Sequence, residues 1–275
     1  MDVRVLGPLS ITRHGRDATP TARKQRQVLS LLLLNEGEVV STDSLIREIW
    51  DLRPPRSVQT TLQTYVLQIR KHLAHAFAVP VAEIARSVLI TRNGGYLLVL
   101  ADANIDLRQY RSLERDGMLA FEARDDGTAV RLFTRALALW RGAALADVEV
   151  GRILEPEAAG LEQSRLTILE CRLEAELRRG RHRELLGELT SLTAQHTYNE
   201  NLYAQYMLAL YRSGRRGTAL ETYRKLRGVM IDELGLEPSS RLQQLHRAVL
   251  AEAPALDEPG AGWPTVEPRR TAARQ

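Results

Sequence analysis

Of 275 residues only one, Cys171, is a cysteine, which excludes an intramolecular disulfide and any zinc site built from several thiolates. It lies in the run LTILECRLEAEL, whose helical spacing makes it a small buried apolar residue rather than a reactive thiol. Long apolar runs are also missing. The longest mostly aliphatic stretch, around Val28 to Leu34, is far short of the roughly 20 residues that cross a bilayer. The opening MDVRVLGPLS has no basic segment followed by an apolar one, and it alternates like a strand rather than a leader. A cytoplasmic, nucleoid-associated protein is therefore expected, with no membrane partner. The chemistry of catalysis is equally scarce: there is no phosphate loop, no GxSxG, no HExxH and no Cys/His cluster. His72 and His75 sit three residues apart without a third ligand nearby, and read as the end of a helix rather than a metal site. No enzyme and no cofactor are expected. Lysine occurs only at 24, 71 and 225 while arginine is abundant, as GC-rich coding would produce.

What is present suits two ordinary domains and a short tail. Hydrophobic residues make up 44% and charged residues 26%, close to the averages of globular chains, which excludes global disorder. The charge is uneven: the first hundred residues carry a surplus of five positive charges, and the remainder a deficit of one. Only the front half is suited to a polyanion.

That front half begins with short strands, Val3 to Leu6 and Leu9 to Ile11, broken at Gly7-Pro8 and followed by a His14-Gly15 turn. Thr21 can cap a first helix whose apolar face uses Val28, Leu29, Leu32 and Leu33. Ser41 or Thr42 can cap a second, with Leu45, Ile46, Ile49 and Trp50 facing inward, and Pro54-Pro55 stops it. The spacing predicts a third helix from about Arg56 to Ala74, with Val58, Leu62, Tyr65, Val66, Ile69 and Leu73 on its buried side. Its opposite side carries Thr60, Thr64, Leu67 and Lys71, flanked by Ser57, Thr61, Gln63, Gln68 and Arg70. No acidic residue falls between Arg56 and Glu83. A solvated helix face normally carries glutamate, so its absence shifts the reading toward a phosphate backbone as neighbour, with a plain solvated polar face as the alternative. Hydroxyls and amides at this spacing can meet phosphates and base edges, Arg70 and Lys71 can read guanine, and Leu67 can touch a thymine methyl. Ser87 to Leu100 then reads as two strands around Asn93-Gly94, a hairpin whose tip, Arg92 and Asn93, can reach an adjacent groove or phosphate. Strands, three helices and a terminal hairpin describe a winged helix-turn-helix with small β-sheets.

Beyond Ala103 the pattern changes to amphipathic helices punctuated by Gly142, Gly180, Gly214 and Pro238, with no further strand expected. Helical segments are predicted over Ala129–Trp140 and Leu154–Arg178, with a break at Gly180-Arg181-His182. From Asn199 onward the sequence follows a tetratricopeptide-like pattern, with Tyr203, Tyr206 and Leu210 on one helix and Ala219 and Tyr223 on the next. The expected fold is thus mostly α: a winged-helix domain over 1–100, an all-α repeat domain over 104–252, and a disordered tail over 253–275 that contains Trp263.

Two sets of strings carry a more specific resemblance. VRVLGPL, RKQRQVLSLLLLNEGEVVSTDSLIREIW, PPRSVQTTLQTYVLQIRKHL and LITRNGGYLL resemble the response-regulator type of winged helix found in Streptomyces antibiotic regulatory proteins. RALALWRGAALADV, LEQSRLTILECRLEAELRRGRHRELLGEL and YMLALYRSGRRGTALETYRKLRGVMIDELGLEPS resemble the bacterial transcriptional activation domain that follows it in that family. The resemblance implies a pathway-specific activator of a secondary-metabolite gene cluster, of actinobacterial origin and of the small type that ends soon after its repeats. It implies a third helix in the major groove, direct repeats of double-stranded DNA about one turn apart, two protomers side by side, and recruitment of RNA polymerase holoenzyme. It further implies that Trp50 anchors a phosphate through its indole N–H, against a purely core role. The loop Asp51, Leu52, Arg53, Pro54 and Pro55 becomes a candidate polymerase contact, against a plain connector. A winged-helix repressor and a repeat scaffold that binds no DNA are the alternatives, and the acid-free third helix speaks against the scaffold.

Overall fold

The structure is a computed structural model and describes residues 1–257. The chain forms two compact units: one comprises residues 1–115 and 135–166, the other Asp116–Thr134 and the chain from Thr167 onward.

The first unit opens with a sheet of β1 (Asp2–Arg4), β2 (Ser10–Arg13) and β3 (Arg16–Asp17), joined as antiparallel neighbours, with the His14-Gly15 turn between the last two. A strand that sequence reasoning did not anticipate, β7 (Asn104–Ile105), completes it by pairing in parallel with β1, Asp2 opposite Asn104 and Val3 opposite Ile105. Two residues are too few to show alternation, and the partner lies about a hundred positions away. Where the ladder stops, the carboxylate of Asp106 continues it, accepting the N–H groups of Val5 and Leu6 at 2.9–3.0 Å.

Three helices follow. In α1 (Arg23–Leu34), Val28, Leu29 and Leu31–Leu34 are all buried, so the aliphatic run is core. Thr21 is not its cap: Ala22 occupies the N-cap position and supplies no side-chain acceptor. After β4 (Val39–Ser41), α2 (Thr42–Trp50) is capped as expected by Ser41, whose Oγ accepts the Ser44 N–H at 3.0 Å. The third helix, α3 (Val58–Phe77), starts two residues later and runs three further than its spacing predicts. It ends at Ala78 in a left-handed conformation. A short helix, α4 (Val81–Ser87), was not foreseen, since seven residues hold too few apolar positions to show a period. The hairpin of β5 (Leu89–Arg92) and β6 (Gly95–Leu98) turns at Asn93-Gly94, with Gly94 at φ +78°, and β6 pairs with β4 to make the second sheet.

The rest of the chain is helical. In order it contains α5 (Asp106–Glu122), α6 (Asp126–Leu137), α7 (Leu154–Arg178), α8 (His182–Gln195), α9 (Glu200–Arg212), α10 (Arg216–Leu234) and α11 (Ser240–Leu250). The predicted segment ending at Trp140 stops at Leu137, and Trp140 lies in the following loop, edge-on to Tyr110 at 5.4 Å. In the second unit, α9, α10 and α11 share one core in which Leu210, Ala219, Tyr223, Leu226, Leu242 and Leu245 are buried. Ala219, fully buried, is where a larger residue would push paired helices apart. The tail expected to be disordered over 253–275 is ordered at its start. Pro254–Leu256 form a 3-10 turn, Leu256 is buried in that core, and its carbonyl accepts from Arg212 Nε at 2.7 Å. The remainder of the tail, with Trp263, lies outside the described residues.

Candidate nucleic-acid interface

The interface is built on α3. Leu62, Val66, Ile69 and Leu73 are buried at spacings of four, three and four residues, which leaves the opposite face to solvent. Thr60, Gln63, Thr64, Leu67 and Lys71 are exposed there, and Gln68 and Thr61 stand half-buried at its margins. Not all of these groups are equally available. Thr61 Oγ1 donates to the Ser57 carbonyl at 3.0 Å and Thr64 Oγ1 to the Thr60 carbonyl at 2.9 Å, so both hydroxyls keep only acceptor capacity. Ser57, exposed at the N-cap position, gives α3 no side-chain cap. Lys71 is exposed, and among the described residues its ammonium has no ion pair or hydrogen bond.

Arg70 departs from its expected role as a guanine reader. Its Nε and Nη2 both donate to the Leu89 carbonyl, at 2.9 and 2.8 Å, and Nη2 also donates to Thr91 Oγ1 at 2.8 Å. One edge of the planar fork is thereby committed to β5, and half-burial lowers the guanidinium pKa from its ordinary value. Burial raises the nearby Tyr96 phenol, a shift that the charge of Arg70 opposes. Arg70 braces the hairpin against α3, while Arg92 and Asn93 stand exposed at the tip. Arg70→Ala is expected to loosen the hairpin, increasing amide exchange at residues 89–92 by about tenfold, because charge-assisted bonds contribute roughly 1.5 kcal/mol or more. Unchanged exchange would return Arg70 to the pool of base readers.

At the other end of α3, Trp50 is half-buried and stacks on Tyr65, with centroids 6.0 Å apart at 19°. The ring therefore packs, and no hydrogen bond engages its indole nitrogen among the described residues. Asp51 through Ser57 are all exposed. Asp51 takes φ +55° and meets Arg152 at 2.6 Å. This loop precedes the helix, whereas Arg70 holds the hairpin twelve residues further along, roughly 18 Å at 1.5 Å per residue. The loop thus meets α3 at its start, and the wing past its middle.

One residue central to this arrangement escaped sequence reasoning. Glu48 on α2 is buried, and its carboxylate accepts the N–H groups of Gly151, Ile153 and Leu154 at 2.5, 2.9 and 3.0 Å. The signal was a glutamate three residues after Leu45 and next to Ile49, on the inward face of an amphipathic helix. Arg26 likewise pairs with Asp147, whose other oxygen accepts the Leu9 N–H at 2.8 Å. Residues 141–154 therefore complete the first unit as a strap. Among the described residues, no three His, Cys, Asp or Glu groups are placed to hold a metal, and no helix is long and apolar enough to cross a membrane.

An acid-free, solvent-facing helix surface braced to a hairpin with a basic tip, in a chain that continues into helical repeats, is the arrangement of a DNA-binding transcriptional regulator. Comparison with known families agrees. Residues 16–98 match the family described as "Transcriptional regulatory protein, C terminal", and residues 105–250 match "Bacterial transcriptional activator domain". The regulatory protein DnrI of Streptomyces peucetius is 47% identical over 266 residues, which cover 97% of this chain and 98% of DnrI. The transcriptional regulator RedD of Streptomyces coelicolor is 36% identical, over 96% of this chain and 74% of RedD. A solved structure, Mycobacterium tuberculosis EmbR in complex with a low-affinity phosphopeptide, superposes with a TM-score of 0.84 at 31% identity, covering 95% of this chain and 69% of that one. The chain belongs to the Streptomyces antibiotic regulatory protein family, and it is a DNA-binding transcriptional activator.

Proposed function

We propose that this activator serves one antibiotic or other secondary-metabolite gene cluster, binding direct repeats near its promoter as two protomers side by side. Residues 1–100 would read DNA and residues 104–252 would carry activation. The observation that carries this reading is the exposed, acid-free face of α3, Thr60, Gln63, Thr64, Leu67 and Lys71, together with the exposed wing tip Arg92 and Asn93. Ser57, Thr61 and Gln68 lie at its edge, and Trp50, stacked on Tyr65 of α3 and half-buried, would offer its indole N–H to a phosphate. Direct repeats one turn apart set two identical subunits on one face of the duplex, and head-to-tail placement follows from their common orientation.

The exposed loop Asp51 to Pro55 is the proposed contact for RNA polymerase holoenzyme. Leu52 is 76% exposed there, a large apolar side chain open to solvent. Favourable contact of about 1.4 kcal/mol would raise polymerase occupancy tenfold at a weak promoter.

Genomic DNA enrichment by the purified protein at two salt concentrations, with wild type and Lys71→Ala, tests the DNA reading. Enriched direct repeats upstream of a biosynthetic cluster are expected. Lys71→Ala should weaken binding and lower the slope of log affinity against log salt by about 1, if its ammonium neutralises one phosphate. Absence of salt-sensitive enrichment would leave a protein-docking scaffold as the better reading. A reporter that falls rather than rises on expression would make it a repressor.

A further inference from the structure

We propose that Leu67 is a specificity-determining residue that reads the C5-methyl group of a thymine in the operator, an inference that rests on the DNA reading above. Leu67 is 43% exposed and is the only exposed large apolar side chain on α3 among the described residues. A single exposed leucine is ordinary on a protein surface, so its exposure decides nothing by itself. Its position does. It stands one turn from Gln63 and one turn from Lys71, both exposed, in the middle of the face that holds no acid.

The competing readers on that face are largely committed elsewhere. The hydroxyl protons of Thr61 and Thr64 go to backbone carbonyls, and the guanidinium of Arg70 goes to Leu89 and Thr91. What remains to tell one base pair from another is the Thr60 hydroxyl and the Gln68 amide toward the margins and, at the centre, the Gln63 amide, the Lys71 ammonium and, between them, a branched aliphatic group. A helix seated in the major groove by the residues on either side presses that group onto the base edges. The edges of guanine, cytosine and adenine carry no methyl there, and against their donors and acceptors it would remove water without compensation. Thymine alone presents a methyl. Contact then removes apolar surface from water on both partners, and a polar base at the same place loses its water for nothing.

The test uses the full chain and a random-sequence duplex library. The duplex most enriched by the wild type is resynthesised with each thymine in turn replaced by deoxyuridine, which removes the methyl and leaves the pairing edge intact. Affinities are measured at one salt concentration for wild type and Leu67→Ala. At one position, uracil should weaken the wild type about fourfold, the value of one buried methyl-sized group. Leu67→Ala should bind the thymine duplex more weakly by a similar factor and should not distinguish thymine from uracil at that position. Everywhere else the two proteins should respond alike. Alanine is a better helix former than leucine, and an unchanged helical circular dichroism spectrum verifies that α3 persists. If no position is sensitive to uracil, or if the sensitive position is equally so in Leu67→Ala, the inference is wrong. If the library yields no enriched sequence, the DNA reading itself fails and Leu67's role fails with it.

Discussion

Glu48→Ala is expected to lower the stability of the first unit by about 3 kcal/mol or more, although the residue touches neither the helix face nor the wing proposed to meet DNA. Three backbone N–H groups, those of Gly151, Ile153 and Leu154, point at its carboxylate. Each loses its acceptor in the variant: the buried Leu154 donor left unsatisfied costs roughly 1–3 kcal/mol, and the half-buried Gly151 and Ile153 donors add smaller amounts. The approach at this point is close: a Cβ on Gly151 would lie 2.2 Å from the Glu48 carbonyl oxygen, so only glycine lets the strap reach α2. Glu48→Gln should fall between wild type and alanine, because its amide retains one acceptor oxygen but turns an NH2 toward a donor. Urea denaturation followed by α2 fluorescence at Trp50, with amide exchange at 151–154, reads both variants. Equal stability of Glu48→Ala and wild type would mean that water replaces the carboxylate and that the strap is not held by it.

What could be read from the sequence was local. The buried and exposed sides of α3 follow from a 3.6-residue period, and the absence of acid between Arg56 and Glu83 needs no structure to be seen. Ser41 as a cap and Asn93-Gly94 as a turn rest on neighbours within four residues. What could not be read depended on distant partners. Arg70 looks like a base reader in any helical projection, and becomes a brace only because the Leu89 carbonyl passes beside it. Glu48 breaks the apolar pattern of α2, but nothing nearby in sequence says that its acceptors face donors more than a hundred residues away. β7 exists because β1 offers it a free edge. Leu256 is buried because the helical core leaves room for it and Arg212 holds its carbonyl. The candidate site was therefore legible as a face, and illegible as a division of labour among the side chains on it.

Glu174 in the second unit should behave in the opposite sense to Glu48, because burial there is not matched by aligned donors. Its residue is 8% exposed, and its ion pair with Arg178 is long, at 3.5 Å, while Arg178 has a shorter one with Asp126 at 2.8 Å. Loss of solvent dominates and pushes the carboxyl up to about 7, against the opposing charges of Arg178, Arg124 and Arg241. A carboxyl whose folded value exceeds its unfolded one binds its proton more tightly in the folded chain. The stability it contributes is complete below about pH 4.5 and is lost as the pH rises through about 7. At 1.36 kcal/mol per unit, the loss between pH 5 and pH 8 is on the order of 2–3 kcal/mol. Glu174→Gln carries no charge to bury, so it should abolish that slope, match wild type near pH 5 and exceed it by a similar margin at pH 8. Urea unfolding of both proteins at the two pH values measures the difference. Should the glutamine variant be less stable than wild type at pH 8, the long ion pair with Arg178 outweighs the desolvation of Glu174, and the charged form is the one that this core is built to hold.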